Sequence, residues 1–199
     1  MRVNIPNAIT VSRLFLTAGF VIFISFGTAW AHFTALALFI IAAATDYLDG
    51  WLARKLNLVT PLGKLLDPLA DKILVCSAFV FLSAEGICPV WITALIMARE
   101  FLVTGLRQIA IEAGHVMAAD RLGKWKTGLQ LTYLISALIR VALDSLESVP
   151  RPLAIFDFLT MRMANGGWLL PISLFLAVSL TAISGWNYVW SSRRLLRGS

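Results

Sequence analysis

Residues 46–71 read DYLDGWLARKLNLVTPLGKLLDPLAD, and this stretch carries most of the information in the chain about fold and chemistry. Its four aspartates, Asp46, Asp49, Asp67 and Asp71, lie in or beside segments that otherwise have the composition of membrane helices. Each aspartate costs roughly 2.5 to 3.5 kcal/mol at the centre of a membrane-spanning helix, so the folded protein must offset a large penalty. The stretch therefore predicts a site built from acidic side chains.

The composition of the whole chain places that stretch in a membrane protein. Hydrophobic residues make up 59% of the 199 residues and charged residues 14%, whereas soluble domains have about 45–50% and about 25%. At about 20 residues per span, six helices leave only short connections and tails, with no room for a soluble catalytic domain. We therefore predict an all-α integral membrane protein with one transmembrane catalytic domain over residues 1–199.

Apolar runs and turn signals divide the chain into six segments, each long enough to cross a membrane. Thr60 and Pro61 have the pattern of a helix N-cap followed by proline at the first helical position, which marks the start of the third helix. The predicted helices lie at about 7–26, 33–53, 61–82, 90–106, 126–146 and 168–190.

The net charge of +6 comes from basic residues scattered beside apolar runs. This distribution favours contact with anionic membrane lipids and argues against nucleic acid as a partner. Lysine and arginine are concentrated between predicted helices 2 and 3 and between helices 4 and 5, whereas the hairpins at 27–32 and 83–89 have none. The positive-inside rule then predicts that both termini are cytoplasmic.

The spacing of the four aspartates predicts two carboxylate pairs. At about 100° per residue, Asp46 and Asp49 share one face of predicted helix 2, and Asp67 and Asp71 share one face of predicted helix 3. Carboxylates without a neighbouring histidine or cysteine are hard oxygen ligands that suit Mg²⁺ or Mn²⁺. Two such ions are a common means of cleaving a phosphate anhydride, so we predict two divalent cations as cofactors.

Small and basic residues in the same stretch could bind a phosphate or a nucleotide. Gly50, Ala53 and Gly63 would let such a group approach the backbone closely. Arg54, one turn beyond Gly50, could hold a phosphate oxygen through its planar fork of donors.

Two other interpretations of the aspartates stay open. They could pair at the membrane surface with nearby cations, which are Arg54, Lys55, Lys64 and Lys72. They could also belong to a cation-binding carrier, in which intramembrane carboxylates bind Na⁺ or protons. A carrier predicts repeated halves and broken helices near the membrane midplane. We find no internal repeat, and the acids cluster at one predicted cytoplasmic end.

The pattern of residues 46–71 resembles the signature of the CDP-alcohol phosphotransferase family. The matching positions are Asp46, Asp49, Gly50, Ala53, Arg54, Gly63, Asp67 and Asp71. The resemblance implies the family's six-helix fold and two divalent ions held by Asp46, Asp49, Asp67 and Asp71. It implies a CDP site formed by Asp49, Gly50, Ala53, Arg54, Gly63 and Asp67. It also implies that Asp71 is the catalytic base, although spacing alone does not choose between Asp71 and Asp67.

Further matches resemble the members of that family whose acceptor is glycerol 3-phosphate. They lie at residues 4–7, 12–13, 66–72, 98–100, 106–107 and 123–127. This resemblance implies transfer of a phosphatidyl group from CDP-diacylglycerol to glycerol 3-phosphate, with release of CMP. It also implies a homodimer in a bacterial cytoplasmic membrane, with the active site facing the cytoplasm. Acceptors such as inositol phosphate, serine or phosphatidylglycerol are the alternatives within the family.

A phosphate-bearing acceptor requires cations that are not committed to the metal site. The candidates flank the connection between predicted helices 4 and 5, and they are Arg99, Arg107, Lys124 and Lys126. Arg99 lies deepest within its apolar run and must have a partner there. Glu100 points about 100° away from Arg99 on a helix, so we expect its ion pair elsewhere.

Overall fold

The computed structural model describes the backbone of residues 5–56, 61–112, 121–160 and 167–196, and the side chains within 11–45, 72–110, 125–160 and 167–190. Every regular element in these ranges is helical, which confirms the predicted all-α class. A short 3-10 turn, Arg151–Leu153, precedes the sixth helix. The α-helices are α1 (Ile5–Ile24), α2 (Ala29–Leu56), α3 (Pro61–Ala84), α4 (Val90–Glu112), α5 (Arg121–Asp144), α6 (Ala154–Thr160) and α7 (Leu169–Leu196).

The six predicted helices have counterparts in α1 to α5 and α7. The largest differences are at the C-terminal ends of α4 and α7, which continue to Glu112 and Leu196 instead of residues 106 and 190. The starts of α5 and α2 also lie earlier than predicted, at Arg121 instead of residue 126 and at Ala29 instead of residue 33. Each of α2 and α7 has 28 residues, and at 1.5 Å per residue such a helix is about 42 Å long. Both helices are longer than a hydrocarbon core of about 30 Å.

The first hairpin is shorter than the sequence suggested because one glycine makes the turn. Gly27 has a φ of 67°, in the left-handed region that favours glycine. The backbone N–H of His32 donates to the carbonyl oxygen of Thr28 at 2.9 Å, so His32 belongs to the first turns of α2. Gly86, with a φ of 69°, has the same role between α3 and α4.

The chain divides into two compact units. Unit 1 comprises Met1–Phe81 and Leu138–Asp157. In it α1 packs on α2, and the rings of Phe20 and Phe39 lie 5.5 Å apart between their centroids. At the end of α5, Arg140 donates to Asp157 at 2.6 Å and also pairs with Asp144.

Unit 2 comprises Leu82–Ala137 and Phe158–Ser199. It contains α4, the first part of α5 and α7, and α4 packs directly against α7. Ile96, Leu134 and Ala177 are buried in its core. Polar and charged side chains are buried in the same unit, and their contacts form the cluster described below.

The exposed surface of the helices is rich in large apolar side chains. Phe15 on α1, Trp91 on α4, Trp125 on α5 and Phe175 on α7 are all exposed. Exposed apolar side chains in this number are typical of proteins whose surface faces lipid or another protein.

Hydropathy along the described residues singles out one segment of α7. Leu169–Trp190, with 22 residues and a mean hydropathy of 1.8, is long and apolar enough to cross a membrane. Three helical segments, Val11–Ile24, Ala29–Thr45 and Lys72–Ala84, are apolar but shorter. The number of spans and the side on which the termini lie therefore stay predictions.

Candidate functional site

The four aspartates lie on two consecutive helices, as the sequence predicted. Asp46 and Asp49 belong to α2, and Asp67 and Asp71 belong to α3. Because both helices run unbroken through these positions, spacings of three and four residues place each pair on one helix face. For residues 46–71 the structure describes the backbone of the two helices and not the side chains, so we give no distances between the four carboxylates.

The donor set of these aspartates fits a hard divalent cation. It offers four carboxylates at helical spacings and no thiolate or imidazole, which is the ligand chemistry that Mg²⁺ and Mn²⁺ prefer. Among the described side chains, no three histidines, cysteines, aspartates or glutamates come together as a further metal site.

The residues predicted to bind CDP lie on the same two helices. Gly50, Ala53 and Arg54 follow Asp46 and Asp49 on α2, at offsets that keep Gly50 and Ala53 on the face of the aspartates. Gly63 lies in the first turn of α3, four residues before Asp67. The backbone thus gathers these positions on two helix faces, while their side chains are again outside the description.

A second group of charged residues lies wholly within unit 2. Its centre is Glu100 on α4, which is only 3% exposed. Lys126 on α5 is 2% exposed and pairs with the Oε1 atom of Glu100. The Nη1 atom of Arg99 lies 3.2 Å from the same oxygen. Buried charges require partners of opposite sign, and Glu100 is the partner that Lys126 needs.

Arg99 also contacts α7. Its Nη2 atom donates to the hydroxyl oxygen of Ser184, and its guanidinium carbon lies 5.9 Å from the centroid of the Tyr188 ring. A side chain at Gly185 would crowd it, because a Cβ atom there would lie 3.0 Å from the Cγ atom of Arg99. The prediction that Arg99 must have a partner is confirmed.

Arg107, two turns further along α4, is exposed and contacts the same tyrosine. Its Nη2 atom donates to the hydroxyl oxygen of Tyr188 at 2.9 Å, and its guanidinium carbon lies 5.7 Å from the ring centroid. Tyr188 therefore contacts both arginines, Arg99 through its ring and Arg107 through its ring and its hydroxyl. We call Arg99, Glu100, Arg107, Lys126 and Tyr188 the basic cluster.

The formal charges of the basic cluster suit a doubly charged anion. Three of its side chains are cations and one is a carboxylate, which leaves two net positive charges. Arginine is well suited to bind phosphate because its planar fork can donate two hydrogen bonds to two oxygens. The side chain of Lys124, the remaining predicted phosphate ligand, lies outside the described side chains.

The structure changes the interpretation of two residues in the cluster. Glu100 was expected to form its ion pair away from Arg99, but it pairs with both Arg99 and Lys126. Lys126 was predicted as a phosphate ligand, and its burial against Glu100 suits it to hold that carboxylate. The contribution of α7 was missed altogether, although Thr181, Ser184, Gly185 and Tyr188 recur at helical spacing in a mainly apolar segment.

Comparison with known proteins identifies the class to which this arrangement belongs. The sequence model of the CDP-alcohol phosphatidyltransferase family matches residues 3–183. The chain belongs to this family, as the aspartate pattern predicted. Its members are membrane-associated enzymes of lipid biosynthesis that use divalent cations.

Particular relatives narrow the comparison. The CDP-diacylglycerol–glycerol-3-phosphate 3-phosphatidyltransferase of Bacillus subtilis is 39% identical, over 98% of this chain and 98% of its own. The protein of the same name from Cereibacter sphaeroides is 32% identical, over 94% of this chain and 95% of its own. A third, from Pseudomonas fluorescens, is 40% identical over 68% of this chain and 72% of its own.

Proposed function

We propose that this chain transfers the phosphatidyl group of CDP-diacylglycerol to the 1-hydroxyl of glycerol 3-phosphate, giving phosphatidylglycerophosphate and CMP. The observation that carries the proposal is the pair of aspartate faces on α2 and α3 in a chain that matches relatives named for this reaction over nearly their full length. The net charge of the basic cluster is independent support, since glycerol 3-phosphate brings a dianion.

On this proposal, Asp46, Asp49, Asp67 and Asp71 hold two divalent cations, Mg²⁺ or Mn²⁺. When bound, such ions neutralise the oxygens of the pyrophosphate and stabilise the leaving phosphate. Asp49 and Asp67 also face the CDP moiety. The CDP site is completed by Gly50, Ala53, Arg54 and Gly63, where small residues allow close approach and Arg54 supplies a donor.

Asp71 is the proposed catalytic residue. It accepts the proton of the 1-hydroxyl while that oxygen forms a bond to the phosphorus of the phosphatidyl group. The bond from this phosphorus to the bridging oxygen of the pyrophosphate breaks, and CMP leaves with the electron pair. The phosphate of CMP gains one negative charge as it leaves, the proton accepted by Asp71 balances that charge, and no oxidant or further co-reactant is needed.

The acceptor phosphate is proposed to bind to Arg99, Arg107 and Lys124, whereas Lys126, the fourth predicted ligand, acts indirectly. Arg107 is the exposed member with described contacts, and Arg99 is held beside it. Lys126 acts through Glu100, because it neutralises the carboxylate that would otherwise repel a phosphate. The two arginines then supply the donors that reach the ligand.

The proposed setting is a bacterial cytoplasmic membrane. With six spans over a single domain and both termini in the cytoplasm, the aspartates would lie at the cytoplasmic end of the helices, where glycerol 3-phosphate is dissolved and the CDP head group of the lipid meets water. The length of α2, about 42 Å against about 30 Å of hydrocarbon, supports a catalytic end that projects toward the head groups. The proposal includes a homodimer, and its only support is the resemblance to the family.

Release of CMP tests this proposal against its rivals. The purified full chain in detergent is given CDP-diacylglycerol, Mg²⁺ and one acceptor at a time, with and without EDTA. We expect CMP with glycerol 3-phosphate and none once EDTA is present. If CMP forms only with inositol phosphate, serine or phosphatidylglycerol, the chain uses that compound as its acceptor instead of glycerol 3-phosphate. No CMP with any acceptor would favour a cation-binding carrier and overturn the proposal.

A further inference from the structure

Four small or polar residues of α7 lie on one buried face of the helix. Thr181, Ser184, Gly185 and Tyr188 lie at offsets of zero, three, four and seven residues, so they share one side of the helix. This face is buried, and its members contact charged or polar groups of α4 and α5 within unit 2. In a helix that crosses lipid, a buried polar face requires a structural or a functional reason.

The contacts of this face converge on the two arginines. Ser184 accepts a hydrogen bond from Arg99, and Gly185 leaves room for the aliphatic part of the same side chain. Tyr188 accepts a hydrogen bond from Arg107 and places its ring within 6 Å of both guanidinium carbons. Arg99 and Arg107 lie eight residues apart, about 12 Å along α4, so one tyrosine on a neighbouring helix bridges two turns.

We propose that Tyr188 is a positioning residue that holds Arg99 and Arg107 as a preformed pair for the phosphate of the acceptor. This inference rests on the proposed function and deepens it. An arginine side chain has about 2 kcal/mol of rotamer entropy, part of which a ligand must overcome when it orders the side chain. A side chain already held by Tyr188 has lost that freedom before the ligand arrives, so phosphate binding is tighter.

Tyr188 can hold Arg107 and still leave hydrogen-bond donors of this arginine for the phosphate. A guanidinium has five N–H donors, and the hydrogen bond to Tyr188 engages Nη2 of Arg107. The side chain of Arg107 is exposed, so its remaining edge can reach a phosphate from solvent. The ring of Tyr188 adds attraction to both cations without introducing a negative charge that would repel the ligand.

The test separates the hydroxyl from the ring and acceptor binding from lipid binding. In the full-length protein, Tyr188→Phe removes the hydrogen bond to Arg107 and keeps the ring, whereas Tyr188→Leu removes both. We expect the KM for glycerol 3-phosphate to rise about 3- to 10-fold in Tyr188→Phe. In Tyr188→Leu we expect a rise of about 10- to 50-fold. The KM for CDP-diacylglycerol should stay within about twofold of its original value in both variants.

Tyr133→Phe is the matched control. Tyr133 is a buried tyrosine of the same unit, and its hydroxyl donates to the backbone carbonyl of Ile87. We expect no change in the KM for glycerol 3-phosphate in this variant. Equal increases of both KM values in Tyr188→Phe, or the same acceptor effect in Tyr133→Phe, would mean that the hydroxyl serves packing alone and would overturn the inference.

A second variant keeps the inference testable if Tyr188→Leu does not fold. Gly185→Ala places a Cβ atom 3.0 Å from the Cγ atom of Arg99, so that side chain must shift by a few tenths of an ångström. Gly128→Ala on α5 is its control, because a Cβ atom there has no neighbour within 4 Å. We expect only Gly185→Ala to raise the KM for glycerol 3-phosphate. An unchanged acceptor KM would overturn the part of the inference that concerns Arg99.

The same measurements separate this inference from the proposed function. If Arg107→Ala leaves the KM for glycerol 3-phosphate unchanged, the proposed acceptor site itself is wrong. If Arg107→Ala raises that KM and Tyr188→Phe does not, the acceptor site stands and the role of Tyr188 is overturned.

Discussion

The acidic stretch on α2 and α3 and the basic cluster on α4, α5 and α7 are encoded in the chain in different ways. The aspartates lie within 26 consecutive residues, and helical periodicity alone assigns each pair to one face. The contacts that join different helices in and around the basic cluster link Glu100 to Lys126, Arg107 to Tyr188 and Arg99 to Ser184, which are 26, 81 and 85 positions apart. Local periodicity therefore identifies the first group, whereas only tertiary packing identifies the second.

The largest effect is expected in the acidic stretch. Asp71→Asn removes the proposed base, and positioned bases contribute about 10²- to 10⁴-fold to rate, so CMP release should fall by a factor in that range. Binding of CDP-diacylglycerol, measured separately, should persist. Glu147→Gln, at an exposed carboxylate after α5, is the control and should keep full activity. If Asp71→Asn also abolishes lipid binding, Asp71 is a metal ligand only.

The next effect concerns the stability of the basic cluster. Glu100→Gln leaves the buried Lys126 without its carboxylate, which should cost about 3 to 5 kcal/mol in the free energy of unfolding. Thermal unfolding can be followed by the reaction of a maleimide dye with the buried thiols of Cys76 and Cys88.

The double variant Glu100→Gln/Lys126→Met tests the physical reason for that loss. It removes both charges of the pair, so it should unfold at a higher temperature than Glu100→Gln alone. Glu85→Gln, at an exposed carboxylate, should unfold like the original protein. An unfolding temperature in Glu100→Gln equal to that of Glu85→Gln would contradict the importance of the buried pair.

A smaller effect is expected for the exposed arginine. Arg107→Ala removes a charged donor to the acceptor phosphate, and the KM for glycerol 3-phosphate should rise about 10- to 100-fold, with little change in the KM for the lipid. Arg151→Ala, at an exposed arginine of unit 1, is the matched control. Similar kinetics in the two variants would rule out Arg107 as an acceptor ligand.

The smallest effect is expected for a single neutral hydrogen-bond partner. Ser184→Ala removes the hydroxyl that accepts from Arg99, and the KM for glycerol 3-phosphate should rise about 5-fold. Ser173→Ala on the same helix is the control, because the hydroxyl of Ser173 donates to the backbone carbonyls of Leu169 and Leu170. Steady-state kinetics with varied acceptor would distinguish the two serines.

The sequence was a good guide where the physical signal is local. Hydrophobic runs predicted where long helices lie, and Thr60-Pro61 predicted the start of α3 at Pro61. The first hairpin was predicted too long because the prediction placed the polar residue His32 in the turn, whereas Gly27 reverses the chain and His32 belongs to α2. The family followed from the spacing of the aspartates, since that spacing is fixed by the chemistry of the site.

The sequence was a poor guide where partners come from distant positions. Arg99 was singled out because a buried arginine needs a partner, but the sequence could not say that Ser184 and Tyr188 would supply it. Lys126 has the pattern of ordinary cytoplasmic-side charge, and its burial depends on where α4 places Glu100. The helical spacing of Ser184 and Tyr188 on α7 can be read from the sequence, but only the packing of α7 against α4 shows that these residues contact Arg99 and Arg107.

The surplus positive charge of the basic cluster also bears on the end of the reaction. In the proposed transfer the product keeps the phosphate monoester that the acceptor brought, so the newly made lipid leaves only after the same arginines release it. Dissolved ions compete for those guanidinium groups and screen their attraction. Added salt should therefore weaken capture of the substrate and hasten departure of the product, so that turnover is greatest at an intermediate ionic strength.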